Sequence, residues 1–167
     1  EEASILAVSD GYNFITLASS QDHKRALDGD QGKNTGGMGA YSPAPIITND
    51  LRIKTEQKII RPAIDGISKE GSAFIGCLYA GLMIKDGEPY VVEFNVRFGD
   101  PEAQAVLPVF DGDFAALLHS ASIGKLDRST AKNIQNGASC CVVMASEGYP
   151  ESYEKGFEIK GIEEAEK

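Results

Sequence analysis

From Val92 to Phe98 apolar and polar residues alternate, and Gly99-Asp100-Pro101-Glu102 then stops the pattern. Few stretches of this chain leave so little freedom. If 91–98 is extended, Glu93, Asn95 and Arg97 share one face and Val92, Phe94, Val96 and Phe98 the other, because side chains alternate across a strand. The apolar face is expected in the core and the polar face is expected to carry chemistry. A carboxylate and an amide two residues apart on a strand are hard oxygen donors, the type Mg2+ takes when it is shared with substrate phosphates. Arg97 adds a planar fork suited to phosphate or carboxylate. The same spacing also fits an edge strand with a solvated polar face, and composition does not choose between them. The next helix is expected to be capped by Asp100, with Pro101 in its first position and Glu102 favouring its dipole. Behind Gly99, its N-terminus can receive an anion.

Upstream, 3–10 and 12–18 are apolar-rich runs around Asp10-Gly11, a hairpin signal. The chain opens inside a strand without a Met, so a preceding segment is expected to be missing. From Ser19 to Pro45 apolar periodicity ceases, and glycines 29, 32, 36, 37 and 39 crowd together. A long functional loop is expected, whose backbone N–H groups could meet phosphate beside His23, Lys24, Arg25 and Lys33. A disordered insertion is the alternative. A helix from Thr48, Asn49 or Asp50 to about Ser68 presents Ile60, Ile64 and Ile67 on one face, with Pro62 expected to kink or shorten it. Residues 74–85 and 90–98 flank Asp86-Gly87 as a second hairpin, with Tyr79 and Met83 as core or pocket wall. Helices are expected over 102–110 and 113–122, the second ended by Gly124, with His119 packed or solvated. Ala138 to Ala145 reads as a buried strand, and Glu163 to Lys167 as a solvated acidic tail or the start of a broken-off element. No internal repeat or low-complexity tract interrupts the chain.

With 167 residues, 42% of them hydrophobic, the chain can bury a core. No stretch approaches the roughly 20 apolar residues of a membrane span, and the first residues do not read as a signal peptide. The net charge is −9, of which seven Glu against three Lys in 147–167 contribute −4. That balance argues against nucleic acid, which needs a basic patch. Cys77, Cys140 and Cys141 lack ligand spacing with either histidine and are expected to be buried thiols in a reducing, cytoplasmic compartment.

Glu93-Phe94-Asn95-x-Arg97-Phe98-Gly99-Asp100-Pro101-Glu102 resembles the metal-site segment of the phosphoribosylamine-glycine ligase (glycinamide ribonucleotide synthetase) family, in the ATP-grasp superfamily. Ser19 to Arg25, Asn34 to Pro45 and Leu78 to Met83 are similar to further segments of that family, in order and spacing. The resemblance implies an α+β fold with an ATP-grasp-type antiparallel sheet and packed helices. It implies the C-terminal part of the ATP-grasp domain over 1–123, then over 124–167 a linker and the beginning of a further domain, so that N- and C-terminal parts of the chain are absent. It implies ATP and Mg2+ (or Mn2+) as cofactors, phosphoribosylamine and glycine as substrates, and neither nucleic acid nor membrane as partner. Glu93 and Asn95 would be the metal ligands, Arg97 a catalytic group orienting an anion, and Asp100 a substrate-binding residue. Lys24, Arg25, Gly36, Gly37 and Gly39 would close over the nucleotide. ATP-grasp relatives commonly place another acidic ligand on the strand before Glu93. Here that region reads Tyr79-Ala80-Gly81-Leu82, and no third ligand is assigned. A different carboxylate-amine ligase of the superfamily and a non-catalytic nucleotide-binding module stay open as alternatives.

Overall fold

Asp10 sets the first turn. Its Oδ1 accepts the backbone N–H groups of Tyr12 at 3.0 Å and Asn13 at 2.6 Å, which folds strand β1 (Glu2–Asp10) back onto β2 (Phe14–Thr16) with Ser9 opposite Phe14. The expected hairpin forms, with a shorter second strand. The computed structural model describes residues 1–166; Lys167, the end of the expected acidic tail, lies outside the described residues.

β2 leads into β3 (Gln21–Leu27), which pairs antiparallel with β4 (Gln31–Ser42). The span expected as a long loop is therefore largely a β-hairpin. Its sequence hides this because residues 27–34 are exposed throughout, so no apolar face has to alternate with a polar one. Register shifts between His23 and Arg25, and between Arg25 and Leu27, further blur the period.

Thr48 caps the first helix by accepting the Leu51 N–H at 3.2 Å. α1 (Asn49–Thr55) passes through a π-helical turn (Glu56–Ile60) into α2 (Arg61–Lys69). In that wider turn the Arg61 N–H reaches the Glu56 carbonyl, and Pro62, which has no N–H to offer, follows directly. The helix thus continues past Pro62 to its expected end. β5 (Ile75–Lys85) and β6 (Glu88–Asn95) form the second expected hairpin, with Asp86 and Gly87 both at positive φ, 53° and 73°.

β5 lies along the whole of β1, from Glu2 opposite Met83 to Asp10 opposite Ile75, giving a sheet of order β2-β1-β5-β6. Both faces of this central pair are covered. Ile5, Ala7, Leu78, Ala80 and Leu82 pack under Leu51, Ile60 and Ile64 of the long helix. Leu6, Val8, Cys77 and Tyr79 pack on the opposite face against Val106 of α3 (Glu102–Val106) and Leu117 and Ala121 of α4 (Phe114–Ser122). Between those helices a 3-10 turn (Leu107–Val109) and β7 (Asp111–Gly112) replace the single helix expected to Phe110. Asp113 then caps α4 at the Ala116 N–H, 2.9 Å away. β7 pairs with β8 (Ala131–Asn133), and β9 (Ser139–Val142) joins β4, making the second sheet β3-β4-β9. A short exposed helix, α5 (Ile162–Ala165), lies in the acidic tail.

Three burial expectations are corrected. β6 is the edge of its sheet and joins neither core, so Val92, Phe94 and Val96 are 56%, 44% and 74% exposed instead of buried; only Phe98 packs inward, against Phe114. β9 is also exposed or half-buried, because beyond β4 it has no further strand to cover it. Cys140 is accordingly exposed and Cys141 half-buried, while Cys77 is buried as expected.

Two measurements follow from this packing. Asp10 also accepts the Leu126 N–H through Oδ2 at 2.9 Å, joining the first turn to the segment after α4. Burial works to raise its carboxyl, but the N–H groups of Asn13, Leu126 and Tyr12 outweigh it and hold the group below the usual value. Its folded-state value is thus depressed, so the bonds stabilise the fold above the unfolded value of about 3.9 and are lost as pH falls through the folded one. Asp10→Ala is expected to cost about 3 kcal/mol in urea unfolding at pH 7, a deficit that shrinks as both proteins are acidified below about pH 4. Burial pushes the Cys77 thiol up to about 12. A thiol reagent at pH 8 should label Cys140 readily and Cys77 only after denaturation.

Candidate functional site

The β5–β6 hairpin carries an irregularity where it matters. Leu82 stands opposite Val91, so an unbroken ladder would set Gly81 opposite Val92; instead Gly81 stands opposite Glu93, and Val92 is the extra residue of a β-bulge. Beyond it Glu93 and Asn95 share the face of Tyr79 and Gly81, and Asn95 Nδ2 donates to Glu93 Oε1 at 3.1 Å. The two expected metal ligands are therefore adjacent, as their spacing implied. Asn95 Oδ1 has no hydrogen-bond partner among the described residues.

β3 crosses in front of this pair. Asp22 and Lys24 of β3, Glu2 of β1, Tyr79 and Gly81 of β5 and Glu93 line one small notch. Lys24 Nζ lies 3.7 Å from both Glu2 and Asp22. Three carboxylates around one ammonium leave the notch net acidic, an environment that favours a cation. Among the described residues, no three carboxylate, imidazole or thiol side chains are grouped to hold a metal by themselves. A divalent ion on Glu93 and Asn95 would therefore complete its shell with oxygens of water or of a ligand, as Mg2+ does when it shares phosphates. Opposite Glu93, β5 carries Gly81, which has no side chain to offer.

The other site residues are more dispersed. Arg25 donates to the Gly32 carbonyl at 2.7 Å near the tip of the β3–β4 hairpin, and with Lys24, His23 and Asn34 it lines an adjoining cleft of about 630 Å³. Gly36 is exposed, with room for a side chain below the Tyr149 hydroxyl. Gly37 is buried at φ 133°, where a Cβ would overlap the Pro101 ring, and Gly39 lies in the ladder so close to the Cys141 carbonyl that a side chain would collide with it. Those two glycines thus have packing reasons to be glycine. Arg97 falls just past the end of β6 and donates to the Phe98 carbonyl at 2.9 Å, so it is on no strand face.

Asp100 does not cap the helix. Pro101 holds the cap position, and Asp100 Oδ1 accepts Gln104 Nε2 at 2.7 Å. Glu102, expected to favour the helix dipole, is buried and accepts the Tyr79 hydroxyl at 2.8 Å. Burial, and then the Glu102 carboxylate, push the Tyr79 hydroxyl up, so it remains a donor. Sequence reasoning placed Tyr79 as core or pocket wall, which it is, but gave no site role to Asp22, Gly81 or Glu102. Asp22 and Glu102 stood inside quoted motifs, but only pairing across strands shows what they face.

An antiparallel sheet with helices packed on both faces and a second β-hairpin folded across its edge is the architecture of part of an ATP-grasp domain. The chain belongs to the phosphoribosylglycinamide synthetase family, whose ATP-grasp (A) domain model matches residues 1–103. It is 52% identical over 160 residues to a phosphoribosylamine-glycine ligase of Leptospira interrogans, covering 95% of this chain and 37% of that protein. A chloroplastic phosphoribosylamine-glycine ligase of Arabidopsis thaliana is 52% identical over 169 residues, covering 100% and 32%. The crystal structure of phosphoribosylamine-glycine ligase from Thermotoga maritima superposes with a TM-score of 0.82 at 38% identity, covering 93% of this chain and 39% of that one. The chain thus spans about a third of the length of these relatives. No helix among the described residues is long and apolar enough to cross a membrane.

The contact between the hairpin and the turn after β6 can be tested through its glycines. Gly37→Ala combines a positive φ with overlap on Pro101 and is expected to cost about 3 kcal/mol in urea unfolding. Gly36→Ala, in open space, should cost less than about 1 kcal/mol.

Proposed function

We propose that this chain supplies the metal- and phosphate-facing part of an ATP-dependent ligase. The reaction joins phosphoribosylamine and glycine to give glycinamide ribonucleotide, ADP and phosphate in de novo purine biosynthesis. The observation that carries this reading is the adjacent Glu93–Asn95 pair on the bulged β6 strand, facing Lys24 across an acidic notch in a chain of this family.

The chemistry accounts for such a surface. A carboxylate does not acylate an amine in water, so glycine must first be activated; transfer of the γ-phosphoryl group of ATP to its carboxylate gives glycyl phosphate and ADP. The phosphoribosylamine nitrogen then attacks the acyl carbon, and phosphate leaves. Phosphoryl transfer of this kind depends mostly on positioning and charge neutralisation. The donor set fits Mg2+ or Mn2+: one carboxylate and one amide oxygen, both hard, on a strand open to ligand. When bound, the ion would offset charge on the phosphate oxygens.

Lys24 and Arg25 would bind phosphates, with the backbone of Gly36, Gly37 and Gly39 shaping the hairpin above them. Arg97 would release its contact with the Phe98 carbonyl to orient an anionic group, and Asp100, whose only side-chain partner among the described residues is Gln104, would receive the substrate's amine. A cytoplasmic setting suits the exposed free thiol of Cys140. We place the ATP-grasp part at 1–123 and the linker with the start of a further domain at 124–167, because α4, the last helix packed on the central sheet, ends at Ser122.

In a protein of the relatives' full length that carries this segment, Glu93→Ala or Asn95→Ala is expected to lower ADP formation by about two orders of magnitude or more. Phosphoribosylamine should be the amine that supports turnover. Near-parent turnover in either folded variant would sink the metal assignment, and turnover with other amines only would point to a different ligase.

A further inference from the structure

Glu93 is exposed, and its one hydrogen bond among the described residues comes from Asn95, so neither burial nor a buried partner holds its carboxylate in place. A ligand side chain on an edge strand loses rotamer freedom when it binds an ion, and affinity depends on how far it is held in position beforehand. What confines Glu93 lies on the neighbouring strand. A Cβ built on Gly81 would stand 3.1 Å from Glu93 Cγ, 3.5 Å from the Glu93 carbonyl oxygen and 3.3 Å from Tyr79 Cε1. Glu93 and the Tyr79 ring therefore converge over Gly81, one from across the ladder and one from two residues before it.

The Tyr79 ring is itself anchored. Tyr79 is buried, stands opposite Asn95 in the ladder, and donates its hydroxyl to the buried carboxylate of Glu102. Glu102 cannot drift, because it lies in the first turn of α3 and its other oxygen is packed against Gly99, where a side chain would overlap it. Tyr79 thus clamps both ends of the segment 96–101, at its backbone through Asn95 and at its hydroxyl through Glu102.

We infer that β5 carries the positioning residues of the Glu93–Asn95 ligand pair: Gly81 is the floor that admits the Glu93 side chain, and Tyr79, tied to Glu102, is the wall that limits it. Neither residue is a metal ligand. The inference rests on the metal assignment above and deepens it. The bulge at Val92 acquires a role as well, since without it Val92 would stand opposite the glycine. A Cβ at position 81 would meet Glu93 Cγ at 3.1 Å, so any side chain there requires the Glu93 side chain to shift by a few tenths of an ångström.

The test reads metal binding apart from turnover, in a protein of the relatives' full length that carries this segment. Mn2+ is titrated in the presence of ADP and free ion is followed by its EPR signal, while ADP binding is measured separately without metal. Gly81→Ala is expected to weaken Mn2+ about tenfold, and Tyr79→Phe, which keeps the ring and removes its tie, by several-fold. Metal-free ADP binding should not change in either. Glu102→Gln keeps an oxygen for the Tyr79 hydroxyl and should stay within about twofold of the parent. A merely structural hydrogen bond would move the melting temperature and leave Mn2+ affinity per folded molecule unchanged. If Gly81→Ala and Tyr79→Phe are folded and bind Mn2+ like the parent while Glu93→Ala does not, the positioning role is overturned and the metal assignment stands. If Glu93→Ala also binds like the parent, the assignment fails and the positioning role falls with it. Should Gly81→Ala not fold, Tyr79→Phe decides the matter in the same titration.

Discussion

The pairing of β1 with β5 is the constraint on which the rest of the structure depends. The two strands run together from Glu2 and Met83 to Asp10 and Ile75, with a helical layer on each face. A strand pair covered on both sides cannot alternate apolar with polar residues, because either face would then bury unpaired polar groups. That explains the near-continuous apolar and small residues of Ala3 to Val8 and Cys77 to Leu82. The few polar side chains in β1 are matched: the Ser4 hydroxyl meets that of Ser20 at 2.8 Å, and Ser9 Oγ accepts the Gly11 N–H at 3.1 Å. The same pair holds the two hairpin turns at opposite ends of the sheet, and so sets where β6 and β3 can lie.

Chemistry is then placed at the edge of this rigid centre. In its sheet β6 pairs with β5 alone, which leaves one edge of its backbone unpaired within the sheet while the other stays registered. An edge is also where a bulge costs least, because no further strand must follow the shift. The bulge at Val92 turns that tolerance into geometry by setting Glu93 over the one glycine of β5 that leaves it space. In the proposed site the exposed Glu93–Asn95 pair would reach outward to its ligand, while the Tyr79–Glu102 bond that would hold it is kept from water.

The β3–β4 hairpin has a graded attachment. At its base Ser4 and Ser20 exchange backbone bonds of 2.8 and 3.0 Å, β9 pairs with residues 39–42, and Gly37 sits under Pro101. Beyond Gly37 mostly local bonds remain, such as Thr35 Oγ1 to the Lys24 carbonyl at 2.9 Å and Arg25 to Gly32. The ion pair of Lys33 with Glu151 ties the outer part to the C-terminal segment, and between exposed side chains it adds little. A hairpin fixed at the base and held at the tip by local, exposed contacts keeps Lys24 in the same notch as Glu93.

What the sequence determined by itself was whatever is encoded within a few residues. Asp10-Gly11 and Asp86-Gly87 demanded turns, Thr48 offered a cap, Ile60 and Ile64 marked a helix face, and Glu93 and Asn95 two apart had to share a side of an extended strand. The family was legible too, because its motifs are contiguous. Tertiary structure alone decided which strands are edges, and with that the exposure of Val92, Phe94, Val96 and Cys140, since alternation looks the same in a covered strand and an uncovered one. It alone revealed β3 and β4, whose exposed outer residues need no apolar period. And it alone turned Glu102 inward: a glutamate after a proline is locally a good helix start, and only the Tyr79 hydroxyl, brought to it from 23 residues away, makes burial of its carboxylate affordable.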